Sequence, residues 1–425
     1  MRSRMVLASL LLAAGCAAPT FSPVLRPLLN GPMSRVSATD AAMELMVDGK
    51  EIFPAAFDLI DNAKKSIQMT FFLFGGDLGR QIGDKLLAKK AAGVNVQLIV
   101  DPAYGQTPKV MAQIKPVIES LRAKGLEIRT YPVKLLPAPK PWLKAAAITH
   151  AKLLVADGEV AMMGGMNFLD SEMINRDYMV RVHGGLAAHI GDVMQGDWDF
   201  SGANPPPPKP KQEQNDWALG ETTPTKQTIK PMWLSALNAA SRSIDIEMLL
   251  MDHPEGIKAL TDAHKRGVTV RVLLDKTNLG KHVSPLLEKL PLKGAPNWLA
   301  VRKLLDAGIA ISWYKPRQQW EMLHAKTAVI DGSTGFIGSA NFTTRAWGQN
   351  REVSLKFNDG PTITRLAGEL AQDFQQRAEP VLALSGWQRF AAGVWERVME
   401  GKLTLAEAEK ELRTAPQDDT TPLDD

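Results

Sequence analysis

One short pattern occurs twice in this chain, and its repetition constrains the fold more than any other feature. Each copy has a histidine, a lysine two residues later, an aspartate five residues after the lysine, and an asparagine seventeen residues after the histidine. The copies are His150, Lys152, Asp157 and Asn167, and then His324, Lys326, Asp331 and Asn341. Because both copies keep the same internal spacing, 174 residues apart, the pattern indicates duplication of one functional unit.

The segments around the two motif copies predict the same order of helices and strands. In the first half the apolar periodicity predicts a helix over 51–63, a strand over 67–74, a helix over 78–92 and a strand over 94–101. The second half repeats this order at 232–240, 244–250, 256–266 and 268–275. Alternating strands and helices predict the α/β class, with two duplicated lobes that each contain a β-sheet flanked by helices.

The composition divides the chain into seven expected segments. Four consecutive prolines at 205–208 favour an extended spacer between the lobes, because a polyproline helix joins neither an α-helix nor a sheet. We expect a signal segment at 1–16, a tether at 17–45, the first lobe at 46–201, a proline-rich linker at 202–228, the second lobe at 229–380, C-terminal helices at 381–413 and a disordered acidic tail at 414–425.

The first sixteen residues are typical of an export signal. Arg2 and Arg4 precede the apolar stretch 5–14, which is too short to span a bilayer as a settled helix. The stretch 13–16 then resembles the lipobox of bacterial lipoproteins, in which the cysteine, here Cys16, is lipidated. The alternative is an ordinary secretory signal cut among the small residues 14–18. We expect an exported protein, and the lipobox implies a cell-envelope lipoprotein of the outer membrane or periplasm.

The composition excludes several classes of protein. With 45% apolar and 23% charged residues, the 425-residue chain is typical of globular proteins. The net charge of +4 is small for this length and does not indicate a polycation that coats nucleic acid. A single cysteine excludes disulfides within the chain and zinc sites built on cysteine.

The repeated motif suits chemistry on a phosphate group. Residues i and i+2 of a strand point to the same side, so each motif places an imidazole beside an ammonium group. If the lobes face each other, the two histidines and two lysines form a cationic cluster that a phosphate would balance. One imidazole would attack phosphorus, and the other would protonate the leaving alkoxide and then activate the acceptor. Asn167 and Asn341 would donate to the phosphoryl oxygens, so neither a metal nor another cofactor is expected.

Four acidic residues near the motifs have different expected roles. Asp157 and Asp331 each precede a glycine between two apolar runs, a pattern typical of hairpin turns, so we interpret them as structural rather than as catalysts. Asp177 and Glu352 follow their histidines by 27 and 28 residues and are candidates to orient the imidazoles through Nδ1. The alternative for Asp177 and Glu352 is a surface ion pair with the adjacent arginine.

The paired motifs resemble those of the phospholipase D superfamily. The resemblance implies two lobes, each with a mixed sheet, that are related by a pseudo-twofold axis and share one active site at their interface. It also implies a metal-free mechanism through a phosphohistidine, with His150 as the nucleophile and His324 as the acid and base. The positions that match the family's phosphate-binding residues are Lys152, Lys326, Asn167, Asn341 and Ser339, where the first lobe has Gly165 in place of Ser339.

Within this superfamily the chain is similar to bacterial cardiolipin synthases. The similarity is carried by Gly-Gly-Met-Asn at 164–167, by the stretch 175–182 and by Gly-Asp-Trp at 196–198. Ala151 stands where that family often has arginine, and 350–353 is closer to other phospholipases and nucleases of the superfamily. The resemblance implies a phospholipid phosphodiesterase or phosphatidyltransferase, of the phospholipase D or cardiolipin synthase type.

The segments before each histidine bear on the substrate class. Apolar, aromatic and basic residues mix in 133–148 and in 313–322, as in a loop at a membrane interface. The alternative for both segments is packing on their own lobe. We therefore expect a phospholipid membrane as partner and an anionic phospholipid as substrate, with no obligate protein partner.

Two other functions stay open at this point. A nuclease of the same fold would need a basic groove with stacking aromatic residues, which four tyrosines and a near-neutral charge support less well. A non-catalytic lipid-binding protein of the envelope is the second alternative, and two intact motif copies disfavour it.

Overall fold

The computed structural model describes residues 43–103, 108–132, 148–203, 216–223, 226–276, 294 and 297–414, which form two α/β lobes. Several expected features lie outside these residues: Cys16, the signal segment, the tether up to residue 42, the prolines at 205–208, the segment 133–147 and the tail from residue 415. Within the described ranges, no helix combines the length and the apolar character needed to cross a membrane.

The first lobe has seven strands. They are β1 Met43–Val47, β2 Ser66–Phe71, β3 Asn95–Val100, β4 Ile128–Thr130, β5 Leu153–Ala156, β6 Val160–Gly164 and β7 Tyr178–His183. They form one sheet in the order β1-β7-β6-β5-β2-β3-β4, in which β2, β3 and β4 run parallel and the remaining neighbours run antiparallel. The helices are α1 Asp48–Asn62, α2 Gly76–Ala91, α3 Pro108–Ala123 and α4 Gly184–Ala203, with a 3₁₀ turn at Asp170–Ile174.

The second lobe has eight strands. They are β8 Trp217–Thr222, β9 Ser243–Met248, β10 Thr269–Leu274, β11 Ala310–Tyr314, β12 Lys326–Ile330, β13 Thr334–Gly338, β14 Glu352–Phe357 and β15 Ala378–Pro380. Their order is β15-β11-β10-β9-β12-β13-β14-β8, so the strands from β11 to β8 repeat the order of the first sheet from β4 to β1. The helices are α5 Ile229–Ala239, α6 Pro254–Lys265, α7 Trp298–Asp306, α8 Thr344–Gly348 and α9 Gly360–Gln376, followed by α10 Gly386–Met399 and α11 Leu405–Thr414.

Each lobe begins with an edge strand that the sequence analysis missed. β1 starts at Met43, inside the range expected to be a tether, and β8 lies inside the range expected to be linker. Both are held by antiparallel pairing to an equivalent partner, β7 for β1 and β14 for β8. Because that pairing is long-range in sequence, a short edge strand beside a proline-rich segment gives little local signal.

One apolar core joins the two lobes. A single buried cluster contains Leu153 and Val180 of the first sheet together with Val329 and Leu355 of the second. At the edge of this core, the Arg365 guanidinium of α9 donates to the Leu45 carbonyl of β1 across 2.6 Å. The lobes are therefore packed as one unit around the surface from which the two motifs arise.

Two buried arginines cross the interface in a matching way. Arg176 of the first lobe bonds to Asp373 at 2.6 Å and Glu369 at 2.8 Å, both on α9. Arg351 of the second lobe bonds to Asp197 on α4 at 2.8 Å. Since removing one partner of a buried ion pair costs about 3–5 kcal/mol, these contacts fix the lobes against each other beside the motifs.

Candidate active site

The residue before each motif histidine is fixed by an aspartate at the end of a parallel strand. Asp101 follows β3 and accepts the Thr149 N–H at 2.8 Å. Asp275 follows β10 and accepts the Leu323 N–H, also at 2.8 Å. Both carboxylates are buried, and burial raises the pKa of Asp101 to about 7. The same device thus places each histidine at the carboxyl edge of its sheet, where ligands of α/β folds commonly bind.

Each histidine is also hydrogen-bonded through its backbone to the opposite lobe. The His150 N–H donates to the Arg351 carbonyl at 2.9 Å, and the His324 N–H donates to the Arg176 carbonyl at 2.9 Å. Short parallel bridges pair Thr149 with Arg351 and Arg176 with Leu323. The two motifs therefore meet across the interface, as the single-site arrangement requires.

The two orienting carboxylates are exchanged between the lobes, which means that each contacts the histidine of the opposite lobe. Asp177 of the first lobe contacts Nδ1 of His324 at 2.6 Å, and Glu352 of the second lobe contacts Nδ1 of His150 at 3.1 Å. Both carboxylates thus lie where they can orient an imidazole, but each contacts the histidine of the opposite lobe and not the histidine that precedes it in its own lobe. The alternative, a surface ion pair with the adjacent arginine, is wrong, because both carboxylates are fully buried and both arginines pair elsewhere.

The bonds at Nδ1 define the protonation of the His150 ring. Besides Glu352, this atom contacts the Ser339 carbonyl oxygen at 2.9 Å, and a carbonyl only accepts. Nδ1 of His150 therefore carries a proton, and in the neutral ring Nε2 holds the free lone pair. Burial, reinforced by Lys152 and opposed by Glu352, lowers the pKa of His150 to about 4, which keeps the ring neutral and nucleophilic at pH 7.

The Asp177–His324 pair is more deeply buried. Burial, followed by the charge of Lys326, lowers the pKa of His324 well below its ordinary value. Burial also raises the pKa of Asp177 to about 7, with Lys326 opposing. An anion bound between the lysines would remove their repulsion and return the pKa of His324 toward the range in which an imidazolium acts as an acid.

The two motif lysines are buried beside both rings. Lys152 donates to the His150 carbonyl at 2.6 Å, and Lys326 donates to the His324 carbonyl. The charges of both lysines lower the pKa of both histidines, so all four groups converge. Phe72 covers one side, with its ring centre 5.1 Å from that of His150. The two ammonium groups beside two neutral imidazoles form a site that suits an anion, in keeping with the spacing of the motifs.

The predicted phosphate-binding asparagines and serine differ in their hydrogen-bond partners. The Asn167 amide donates to Glu172 at 3.1 Å, while Oδ1 of Asn341 is buried without a hydrogen-bond partner among the described residues. The Ser339 hydroxyl donates to Glu352 at 2.5 Å and accepts the Val353 N–H at 3.0 Å. Ser339 thus supports the carboxylate that orients His150.

Gly165 explains why the first lobe lacks the matching serine. A Cβ atom at this position would lie 2.1 Å from a carboxylate oxygen of Asp177. The first lobe therefore combines a glycine with the shorter Asp177, whereas the second combines Ser339 with the longer Glu352.

Asp157 and Asp331 lie at the far end of the strand that follows each histidine, after about 20 Å of extended chain. The Asp157 carboxylate accepts the backbone N–H groups of 64–66, at the start of β2, and Asp331 accepts those of 241–243, at the start of β9. Both have positive φ, 57° and 53°, as their turns require. These contacts fit the structural role expected for both aspartates.

Replacing Asp157 by alanine should affect stability and leave catalysis intact. The loss of charged hydrogen bonds to three backbone groups is expected to lower the free energy of unfolding by roughly 1.5–3 kcal/mol. Urea unfolding measures this change, and kcat per folded enzyme should stay within about threefold of the wild type. A large loss of kcat without loss of stability would assign Asp157 to the chemistry instead.

The comparisons with known proteins agree with this geometry. The family model described as "Cardiolipin synthase, PLD-like domain" matches residues 57–198 and 233–378, one match for each lobe. The chain belongs to this family. Each matched range contains a complete motif copy, so the superfamily and the duplicated α/β fold predicted from the sequence are confirmed, and the family is one of enzymes.

Individual relatives in this cardiolipin synthase family cover most of the chain. Cardiolipin synthase A of Pseudomonas syringae pv. syringae is 28% identical over an alignment of 357 residues that covers 79% of this chain and 69% of the relative. The cardiolipin synthase of Listeria welshimeri is 26% identical over an alignment of 378 residues that covers 84% of this chain and 74% of the relative. The crystal structure of phosphatidylserine synthase from Haemophilus influenzae shows the same fold, with a TM-score of 0.65, 13% identity and coverage of 88% of this chain and 95% of that one.

One acidic residue of this PLD-like site was missed by the sequence analysis. Glu172, in the 3₁₀ turn, is fully buried, and its Oε2 atom lies 3.9 Å from Nε2 of His324. Five residues after Asn341, the second lobe has Ala346 where Glu172 follows Asn167, so the repeat gives no signal for it. Among the described residues, no group of three histidine, cysteine, aspartate or glutamate side chains is arranged to hold a metal ion.

Proposed function

We propose that the protein is a phospholipid phosphatidyltransferase or phosphodiesterase that works through a phosphohistidine on His150. The observation that carries the proposal is the exchange of carboxylates, which holds each imidazole by Nδ1 and leaves each Nε2 for the substrate. Membership of the cardiolipin synthase family supports a phosphodiester as the group that reacts.

In the first half-reaction, Nε2 of His150 attacks phosphorus while the bond from phosphorus to the leaving oxygen breaks. His324 donates its proton to that oxygen, and Glu172 favours this role because its charge raises the pKa of His324. Lys152 and Lys326 balance the negative charge of the phosphoryl oxygens in a buried site, where such interactions are strong.

In the second half-reaction, neutral His324 takes the proton from an acceptor hydroxyl. The acceptor oxygen bonds to phosphorus, and the bond from phosphorus to His150 breaks. Water as acceptor gives hydrolysis of phospholipase D type, whereas an alcohol such as the glycerol end of phosphatidylglycerol gives phosphatidyl transfer of cardiolipin synthase type. The same two histidines serve both reactions.

The lipid assignment is supported by the names of the curated relatives and by one exposed side chain. Trp313 is buried in the core of the second lobe and Tyr314 in the core shared by the two lobes, so neither side chain is available to a membrane surface. Trp320, four residues before His324, is 43% exposed at a φ of 70°, a conformation unfavourable for a bulky residue. Buried Glu321 holds this loop by accepting the Arg317 N–H at 2.6 Å.

Trp320→Ala is expected to lower turnover of phospholipid in vesicles about tenfold, because an exposed tryptophan beside the site would anchor the enzyme at the lipid interface. Turnover of the water-soluble diester bis(p-nitrophenyl) phosphate should stay within about twofold. Leu382→Ala is the matched control, since Leu382 is 91% exposed on another surface segment. An equal loss on both substrates would assign Trp320 to folding rather than to lipid contact.

The direct test compares phosphatidylglycerol, phosphatidylcholine and single-stranded DNA as substrates of the purified protein. Release of headgroup or formation of a phosphatidyl-transfer product from either lipid supports the proposal. Cleavage of DNA without turnover of lipid would contradict it in favour of the nuclease alternative. The lipobox-like stretch at Cys16 supports the further proposal of attachment to the cell envelope, where such lipids are found.

A further inference from the structure

We propose that Glu172 binds a hydroxyl group of the acceptor and thereby selects a polyol over a simple alcohol. This inference rests on the proposed function and adds the residue that distinguishes acceptors. Glu172 is fully buried, and its Oε1 atom has no hydrogen-bond partner among the described residues. Nε2 of His324 is also buried with no hydrogen-bond partner in the part of the chain that the structure describes, and it lies 3.9 Å from Oε2 of Glu172. The Glu172 carboxylate therefore lies beside the Nε2 atom at which an acceptor oxygen must bind, and each of the two side chains keeps one unsatisfied polar atom.

The position of Glu172 is fixed by its neighbours. Asp170, two residues before it, accepts the N–H groups of Asp77 and Leu78 at 2.9 and 2.8 Å and so ties the 3₁₀ turn to the start of α2. The Glu172 N–H donates to the Leu169 carbonyl at 2.9 Å, and Oε2 accepts from Asn167. The remaining oxygen, Oε1, is thus held in place rather than free to turn to water.

The ligand that satisfies Oε1 must supply a hydrogen-bond donor. The oxygens of a phosphodiester anion are acceptors only, so the donor belongs to the alcohol that leaves from phosphorus or to the acceptor that replaces it at His324. An ammonium group would bring a third cation beside Lys152 and Lys326, both of which act on His324. A neutral hydroxyl avoids that repulsion, and a polyol such as glycerol offers one hydroxyl to His324 and a neighbouring one to Glu172.

Within the described ranges, only one of the two motif histidines, His324, has an additional acidic residue beside it, as expected if this residue binds the acceptor. His150 and His324 each have a carboxylate at Nδ1, but Glu172 comes from the first lobe alone, since Ala346 is its counterpart in the second. Glu172 lies beside the histidine proposed to activate the acceptor. In that step His324 takes the proton of the reacting hydroxyl, and the neighbouring hydroxyl keeps its proton and donates it in a hydrogen bond to Glu172.

The test uses bis(p-nitrophenyl) phosphate as donor, with glycerol or propan-1-ol competing against water as acceptor. The readout is the ratio of transfer products, glycerol over propan-1-ol, which does not depend on the fraction of folded enzyme. We expect Glu172→Leu to lower this ratio about tenfold and Glu172→Gln, which keeps one acceptor oxygen, to lower it less. Ser171→Ala, at the neighbouring buried residue, is the control and should leave the ratio unchanged.

An unchanged ratio in Glu172→Leu, with slower overall turnover, would overturn the proposal and leave Glu172 as a support for Asn167. Ethanolamine serves as a third competing acceptor. If Glu172→Leu lowers transfer to ethanolamine and not transfer to glycerol, the proposal is also overturned, in favour of a site for a cationic acceptor. Failure of the proposed function is visible separately, because a wild-type enzyme that turns over the soluble diester but no phospholipid contradicts only the lipid assignment.

Discussion

His150→Ala is expected to lower turnover of every phosphodiester substrate by roughly 10⁴-fold or more, since the phosphoryl group can no longer be transferred to the enzyme. The measurement is release of p-nitrophenolate from bis(p-nitrophenyl) phosphate, together with covalent phosphoryl label on the denatured protein. Wild-type protein should carry acid-labile label during turnover, and His150→Ala should carry none. Because His150 donates through Nδ1 to a backbone carbonyl, its Nε2 atom is the proposed nucleophile that this substitution removes.

His324→Ala is the matched control, because it removes the other half of the same site. p-Nitrophenolate leaves without help from an acid, so this variant should still release about one equivalent in a burst. It should then stall with label on His150, since no base activates water. A burst in His150→Ala and none in His324→Ala would reverse the two roles. Full activity in both variants would reject the mechanism.

Much of the fold follows from local pattern. The strands β2, β3, β9 and β10 and their helices lie within a few residues of the predicted ranges, because apolar periodicity and glycine at helix ends are local signals. β1 and β8 are not predicted by local pattern, because each is formed through pairing with a strand that is distant in sequence. The expected end of the tether at residue 45 therefore lies beyond the start of β1, and the expected end of the linker at residue 228 lies beyond β8.

The same distinction separates what was predicted about the site from what was missed. The convergence of two histidines and two lysines follows from a repeated spacing and the geometry of a strand. The partner of each carboxylate does not follow, because Asp177 lies 27 residues after His150 yet reaches His324. Only the packing of one lobe on the other, with Arg176 and Arg351 buried across the interface, produces that exchange.

The exchange of carboxylates predicts which chemical step each one controls. Asp177→Asn should impair His324, because an amide opposite Nδ1 favours the wrong tautomer. The loss of kcat is expected to be about 10²- to 10⁴-fold for a substrate with an alkoxide leaving group, which needs an acid. With p-nitrophenolate as leaving group, the burst of Asp177→Asn should be nearly intact and only the later steady state slow.

Glu352→Gln should instead impair His150, which attacks in the first step with either leaving group. The burst should slow similarly with both substrates, by roughly 10- to 100-fold, because the Ser339 carbonyl still accepts from Nδ1 of His150. Rapid-mixing measurement of the burst for both variants decides between the pairings. If the carboxylates acted within their own lobes, Asp177→Asn would slow the burst and Glu352→Gln would spare it, because Asp177 would then serve the nucleophile.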